Sequence, residues 1–177
     1  MAVPRRPVPV LLVVAAFSRH LELLTAARTR LEAEWGPVGL CGPLLVFDQT
    51  HYYEASMGPD LRKQLWAFAE LIDPERLADL KLRTNALEAE LAAGYPEARP
   101  LNLDPGYLVL GKFLLATTKD QAHRIYLRDG IFAEVTLQFQ AGAWRPWPWT
   151  YADYRQEAVL EFLGEARNFY RRRLASG

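Results

Sequence analysis

The sequence predicts a single α+β domain, a mixed or mostly antiparallel sheet with about four main helices packed on it. Three observations predict it. Directly after Asp129-Gly130, Ile131, Ala133, Val135, Leu137 and Phe139 alternate with Phe132, Glu134, Thr136, Gln138 and Gln140. That is a half-buried strand leaving a turn. Residues 19–35 and 73–94 carry apolar side chains at helical spacing. Finally, 177 residues, 50% of them apolar, can close one core without staples.

The elements follow in chain order. Residues 10–14 are β-prone, and Pro4, Pro7 and Pro9 suit an extended lead-in. With Arg5 and Arg6 ahead of it, the run over residues 8–17 reads either as a buried first strand or as a signal segment. The strand is favoured because Ser18 caps a helix with no spacer, which implies the cytoplasm; ten residues are too few to span a bilayer. The first helix, residues 19–35, faces inward with Leu21, Leu24, Leu31 and Trp35, and Gly36-Pro37 stops it. Residues 44–47 read as a buried strand and 50–57 as another. Gly58-Pro59-Asp60 opens a helix carrying Leu61, Leu65, Phe68 and Ile72. Asp73-Pro74 caps the next, with Leu77, Leu80, Thr84, Leu87 and Leu91 inward and Gly94 at its end. Residues 112–117 and 123–127 form strands. A three-residue turn, Arg128-Asp129-Gly130, pairs Leu127 with Ile131 and Ile125 with Ala133, and sets Arg124 opposite Glu134. Thr150 or Asp153 caps a last helix that ends in Arg171-Arg172-Arg173. The opening strands and helices suit a ferredoxin-like unit, followed by a β-meander and a closing helix.

Charge and cysteine count exclude several classes. Twenty-one Lys and Arg balance twenty-one Asp and Glu, so a uniformly basic nucleic-acid coat is out. The balance is uneven along the chain: residues 1–30 carry net +4, 48–104 net −5 and 142–177 net +2. Cys41 has no partner for a disulfide and reads as a small core residue.

Gly106-Tyr-Leu-Val-Leu-Gly111-Lys112 matches most of a phosphate loop, but Phe113 stands where a Ser or Thr would hold magnesium. The polar residues at strand ends are more informative. Asp48, Asn102 and Asp104 adjoin turns, and Thr117, Thr118, Lys119, Asp120, His123 and Arg124 follow a strand. Rigid strands position such loop residues for chemistry. His123 would move a proton, with Asp104 and Asp48 as its carboxylate partners. Lys119, Arg124, Thr118, Asn102, Tyr126 and Glu134 would bind substrate, and Asp48, Asp104 and Asp120 would offer oxygens to Mg²⁺. The bland alternative is turn chemistry for the Asp and Thr residues and a core-edge role for His123. His20 and His51 lack neighbours at metal-ligand spacing.

Several ordered segments resemble one known family. They are Gly42-Pro43-Leu44-Leu45, Phe47-Asp48-x-Thr50-x-Tyr52-Tyr53 and Met57-Gly58, then Leu82-x-Thr84-Asn85-x-Leu87-Glu88. Asn102-Leu103-Asp104-Pro105-Gly106-Tyr107 and Ala116-Thr117-Thr118-Lys119-Asp120-x-x-His123-Arg124-Ile125-Tyr126-Leu127 follow. Gly130-Ile131-x-Ala133-Glu134-Val135-Thr136-Leu137 and Trp149-Thr150-Tyr151-x-Asp153-Tyr154 complete the set. Together they resemble the bacterial domain-of-unknown-function family 4416. Ser56 departs from the acidic residue expected before Met57. The family is uncharacterised, so the resemblance implies no reaction; it implies that the polar strand-end motifs belong to a shared pattern.

The functional expectation is an enzyme, a hydrolase or group transferase, acting on a small phosphorylated or nucleotide-like metabolite, with Mg²⁺ as the one cofactor suggested. The alternative is a non-catalytic module binding RNA or a protein through Trp144, Trp147, Trp149 and the final arginines. Neither reading involves a membrane.

Overall fold

The computed structural model describes residues 3–50 and 52–176. Strand β1 (Val10–Ser18) is buried at every position, as a strand must be when both faces of its sheet are covered. After it come helix α1 (Leu21–Trp35), β2 (Val38–Cys41), β3 (Leu45–Val46) and the short helix α2 (Glu54–Met57). Then follow β4 (Arg62–Ile72), helix α3 (Leu77–Leu91), β5 (Leu101–Val109) and β6 (Lys112–Thr117). The chain continues through β7 (Ile125–Arg128), β8 (Ile131–Gln140), β9 (Ala143–Pro146) and helix α4 (Glu157–Ala175).

All pairings are antiparallel, in the order β2-β4-β1-β5-β6-β8-β7, with β3 also on β4 and β9 also on β8. The order β2-β4-β1-β5, joined through α1 and α3, is that of a ferredoxin-like unit. β3 and α2 are inserted into it, and β6 and β8 extend the sheet; β7 pairs on the far side of β8 instead of beside β6, so the expected meander is not formed. Leu12, Val14 and Ala16 pack under α1 and α3, whereas Leu11, Val13 and Ala15 pack under α4. The sheet is therefore sandwiched between helices.

The structure corrects several sequence expectations. Residues 62–72 form β4, not a helix. Leu65, Trp66, Ala67 and Phe68 are all buried, so the strand is apolar on both faces and its spacing mimics a helix. Only Phe47 of residues 44–47 is buried; Leu44 and Val46 are exposed because β3 is a two-residue edge. The strand expected over residues 50–57 contains α2 instead, and His51 lies outside the described residues. Cys41, expected in the core, is exposed. Ser18 ends β1, and its hydroxyl accepts the His20 N–H at 2.9 Å without being the helix cap. Neither Thr150 nor Asp153 caps α4, which starts after Gln156. Asp129 and Gly130 both take positive φ (51° and 75°), so the turn has two residues and a bulge at Leu127 restores the Ile125–Ala133 pair. All of β7 is exposed, including Ile125 and Leu127, which were expected to face inward.

Candidate functional site

The site begins where the sheet forks. β5 pairs with β1 from Leu101 to Leu108, but with β6 only from Gly106 to Val109. β6 meanwhile stays on β8 out to Thr117. The two strands thus separate on the amino-terminal side of Pro105-Gly106, where proline has no N–H to offer a ladder. α3 supplies the missing partners. The Leu103 N–H donates to Glu88 Oε1 at 2.6 Å, and Lys81 Nζ donates to the Leu103 carbonyl at 2.9 Å. Lys81 and Glu88 stand two turns apart on one helix face, so two side chains replace a strand.

A cavity of about 620 Å³ occupies this fork. Asp104 and Asn102 enter it from β5, Lys63 from β4, and Thr117, Thr118 and Lys119 from the end of β6. Lys81 gives a second bond to Asp104 Oδ1 at 2.9 Å, and Asn102 Nδ2 gives one to Oδ2 at 2.7 Å. Arg99 donates to both Glu88 and the Asn102 side-chain oxygen Oδ1. Burial would raise the Asp104 carboxyl, but Lys81, Lys63 and Asn102 together hold it below its usual range. For Glu88 burial wins over Lys81 and Arg99, and its carboxyl is pushed up. Aromatic rings form the other wall. Lys63 is 3% exposed and ion-paired with Asp153, and its amine lies 4.0 Å from the Tyr154 ring centre. Tyr154 is 2% exposed, and its hydroxyl has no protein partner. Burial and the adjacent Asp153 carboxylate keep that hydroxyl protonated.

Farther along the cavity wall, Glu134 accepts from Arg124 Nε at 2.7 Å and approaches His123 Nε2, which lies behind it, at 3.1 Å through one oxygen, Oε2. Both carboxylate and guanidinium are 1% exposed. Burial opposes the Arg124 charge, but Glu134 and Tyr151 outweigh it and raise its pKa. Arg124 also reaches the Lys119 carbonyl at 3.0 Å and the Tyr151 hydroxyl at 2.6 Å, tying two cavity loops together.

Six of the nine residues picked out for catalysis or substrate binding therefore line one cavity: Asn102, Asp104, Thr118, Lys119, Arg124 and Glu134. Asn102 and Asp104 do so from within β5, not from a loop before it. The other three do not line it. His123 sits behind Glu134 and stacks on Trp149 at 5.1 Å, which makes it a support. Tyr126 is exposed on the edge strand, against Phe132. Asp48 is exposed, with Gln49 donating to it at 2.6 Å. Of the three carboxylates expected to offer oxygens to Mg²⁺, Asp104 alone lines the cavity, where it accepts from Lys81 and Asn102; Asp48 and the exposed Asp120 do not line it. Among the described residues no group of three His, Cys, Asp or Glu could hold a metal ion. Gly106-to-Lys112 is a strand, a turn and the start of the next strand, with no helix to complete a phosphate loop.

The Trp-Pro segment is tied down as well. Trp144 is buried, Trp147 and Trp149 stack at 5.1 Å, and Trp149 Nε1 donates to the Val135 carbonyl at 3.0 Å. These contacts patch the open edge of β8 between β7 and β9. Arg171, Arg172 and Arg173 are exposed.

The model of the family described as Domain of unknown function (DUF4416) matches residues 8–170. The chain belongs to that family. No curated protein and no solved structure matches it. In this DUF4416 chain Asn102-Leu103-Asp104-Pro105-Gly106 builds the fork, and Tyr151-x-Asp153-Tyr154 closes the aromatic wall. Ser56 lies beside the cavity, its carbonyl accepting the Arg99 N–H at 3.0 Å. Sequence reasoning missed Lys63, Lys81, Glu88, Arg99, Asp153 and Tyr154. One signal was present for part of this set: Lys81, Thr84, Asn85 and Glu88 make a polar stripe at helical spacing beside the apolar one. Among the described residues no helix is long and apolar enough to cross a membrane.

The opposed carboxyls give a pH test. A depressed pKa contributes stability above the unfolded value, about 4 for Asp, which is lost as pH falls through the folded value. The raised Glu88 acts oppositely: its contribution is complete below its unfolded value and lost as pH rises through the folded one. In urea midpoints measured from about pH 7 to 2, Asp104→Asn is expected to be less stable than the parent at neutral pH, with the gap shrinking below about pH 4. A gap independent of pH would contradict the assignment.

Proposed function

We propose that this chain binds a small phosphorylated or nucleotide-like metabolite in the forked-sheet cavity, in the cytoplasm, and acts on it by hydrolysis or group transfer. One observation carries the reading. Five cationic side chains converge on an aromatic-walled cavity beside a buried tyrosine hydroxyl that has no protein partner. Its volume lies within the ordinary range for small-molecule sites, and the mixture of rings with a few convergent polar groups is typical of them. Asp153 and Tyr154 flank Lys63 with complementary protonation roles. Asp153 spends Oδ2 on Lys63, and no described residue donates to Oδ1, so this oxygen is a proton acceptor. The Tyr154 hydroxyl, held protonated, donates a hydrogen bond instead of a proton. Glu134, Arg124 and Asn102 hold the walls, while Lys119 and Thr118 meet the anion.

Thermal-shift titration with a panel of nucleotides and phosphorylated metabolites tests the binding half. At least one ligand is expected to raise the midpoint of the parent and to lose its effect in Lys63→Met. Turnover of that ligand, followed by phosphorus and proton NMR, tests the rest. Asp153→Asn is expected to lower it about 10²- to 10⁴-fold, the usual worth of a positioned acid or base. A panel with no shift in the parent would remove the reading.

A further inference from the structure

We infer that the ligand of this cavity enters with one polarity, an uncharged planar polar ring at the inner end and a single anionic group at the mouth, held by Lys119. The inference rests on the small-metabolite reading and adds what kind of molecule it is and which way round it lies.

Charge pairing decides the polarity. Five cations and four carboxylates line the cavity. Lys63 is paired with Asp153, Lys81 with Asp104, Arg99 with Glu88 and Arg124 with Glu134. Each pair is internally neutral, so an anion placed between them meets as much repulsion as attraction. Lys119 is different. Among the described residues it has no carboxylate partner; its amine bonds the Tyr52 hydroxyl at 3.3 Å and lies 4.5 Å from that ring's centre. The cavity's surplus positive charge is therefore local to Lys119, which is exposed, as is its neighbour Thr118. An ammonium has three N–H donors, and Tyr52 uses one as an acceptor, so donors remain for an anion.

The inner end has the opposite character. Phe17 and Phe47 stack at 4.7 Å, Tyr53 meets Phe17 at 5.0 Å, and Tyr154 lies across the Lys63 amine. A flat ring gains most from such walls. The polar groups among them, the Lys63–Asp153 pair and the orphaned Tyr154 hydroxyl, offer donors and acceptors without net charge. They suit the edge of a neutral heteroaromatic ring. A ring inward and one anion outward is the layout of a nucleoside monophosphate.

Isothermal titration of the full chain with adenosine, guanosine, cytidine and uridine, each beside its 5′-monophosphate, reads this out. For the base that binds, the monophosphate is expected to bind about tenfold more tightly than the nucleoside, the worth of one charged hydrogen bond. Lys119→Ala should erase that ratio and leave the nucleoside unchanged, whereas Lys119→Arg should keep it. Tyr154→Phe should weaken both ligands by the same factor. Equal losses for both ligands in Lys119→Ala, or no ratio in the parent, would overturn the polarity and leave the proposed function standing. No binding of any nucleoside or monophosphate would overturn the nucleotide-like layout; if phosphorylated sugars or acids still shift the melting midpoint, the proposed function survives without it. Lys119 is at the surface, so its variants keep the fold.

Discussion

Glu134→Gln is expected to destabilise the protein by about 3–5 kcal/mol, the cost of leaving a buried charge without its partner. The glutamine has the same length and accepts a hydrogen bond from Arg124 Nε, so little shape is lost. What disappears is the negative charge, 2.7 Å from a guanidinium that is 1% exposed. The remaining Arg124 acceptors, the Lys119 carbonyl and the Tyr151 hydroxyl, are neutral. Replacing both partners, as in Glu134→Leu with Arg124→Met, is expected to recover most of the loss, because an apolar pair of similar volume avoids desolvating either ion. The double variant still lacks the tie between the Lys119 and Tyr151 loops. Stability would then return while ligand binding does not, which separates the structural role of the pair from its role in the cavity. Urea unfolding of the parent and the two variants measures this; a loss below about 1 kcal/mol in Glu134→Gln would show that the charge is not desolvated as the exposures say.

That pair shows what was legible in the sequence. Arg124 opposite Glu134 follows from strand alternation and a turn signal, both local, and the bulge at Leu127 preserves the expected register even though the turn is one residue shorter. Burial was not legible: the polar face of β8 reads as solvated until the 147–154 segment is known to cover it. β4 was missed because a strand buried on both faces has no period of two, and its apolar residues also satisfy a helical stripe. With β4 misread, Lys63 could not be placed, and its partner Asp153 lies 90 residues away. The cavity's inner end therefore had no sequence signature. Its mouth did, since Thr118 and Lys119 simply follow a well-marked strand.

Gly106→Ala is expected to cost at least about 3 kcal/mol, at the upper end of what overpacking does. A Cβ built there meets the Leu114 carbonyl oxygen at 2.0 Å and a Leu115 methyl at 3.0 Å. Backbone, not a flexible side-chain tip, is in the way, so β5 and β6 must move apart. They can do so only by lengthening the fork, because Gly106 is paired with Leu115 at its apex. Gly111 provides the comparison. It stands in the β5–β6 turn with nothing within 4 Å of a built Cβ, and Gly111→Ala is expected to change stability by less than about 0.5 kcal/mol. The two glycines are the ones that made the segment look like a phosphate loop. In such a loop both are kept for the ligand, so either substitution would weaken phosphate binding and leave the unfolding midpoint near the parent's. In a forked sheet only Gly106 matters, and it acts through folding. Moving β5 also carries Asp104 and Asn102 away from Lys81, so ligand affinity should fall with stability in Gly106→Ala and stay unchanged in Gly111→Ala. Denaturation and binding measured on the same two variants decide between a glycine kept for a ligand and one kept because two strands must touch before they part.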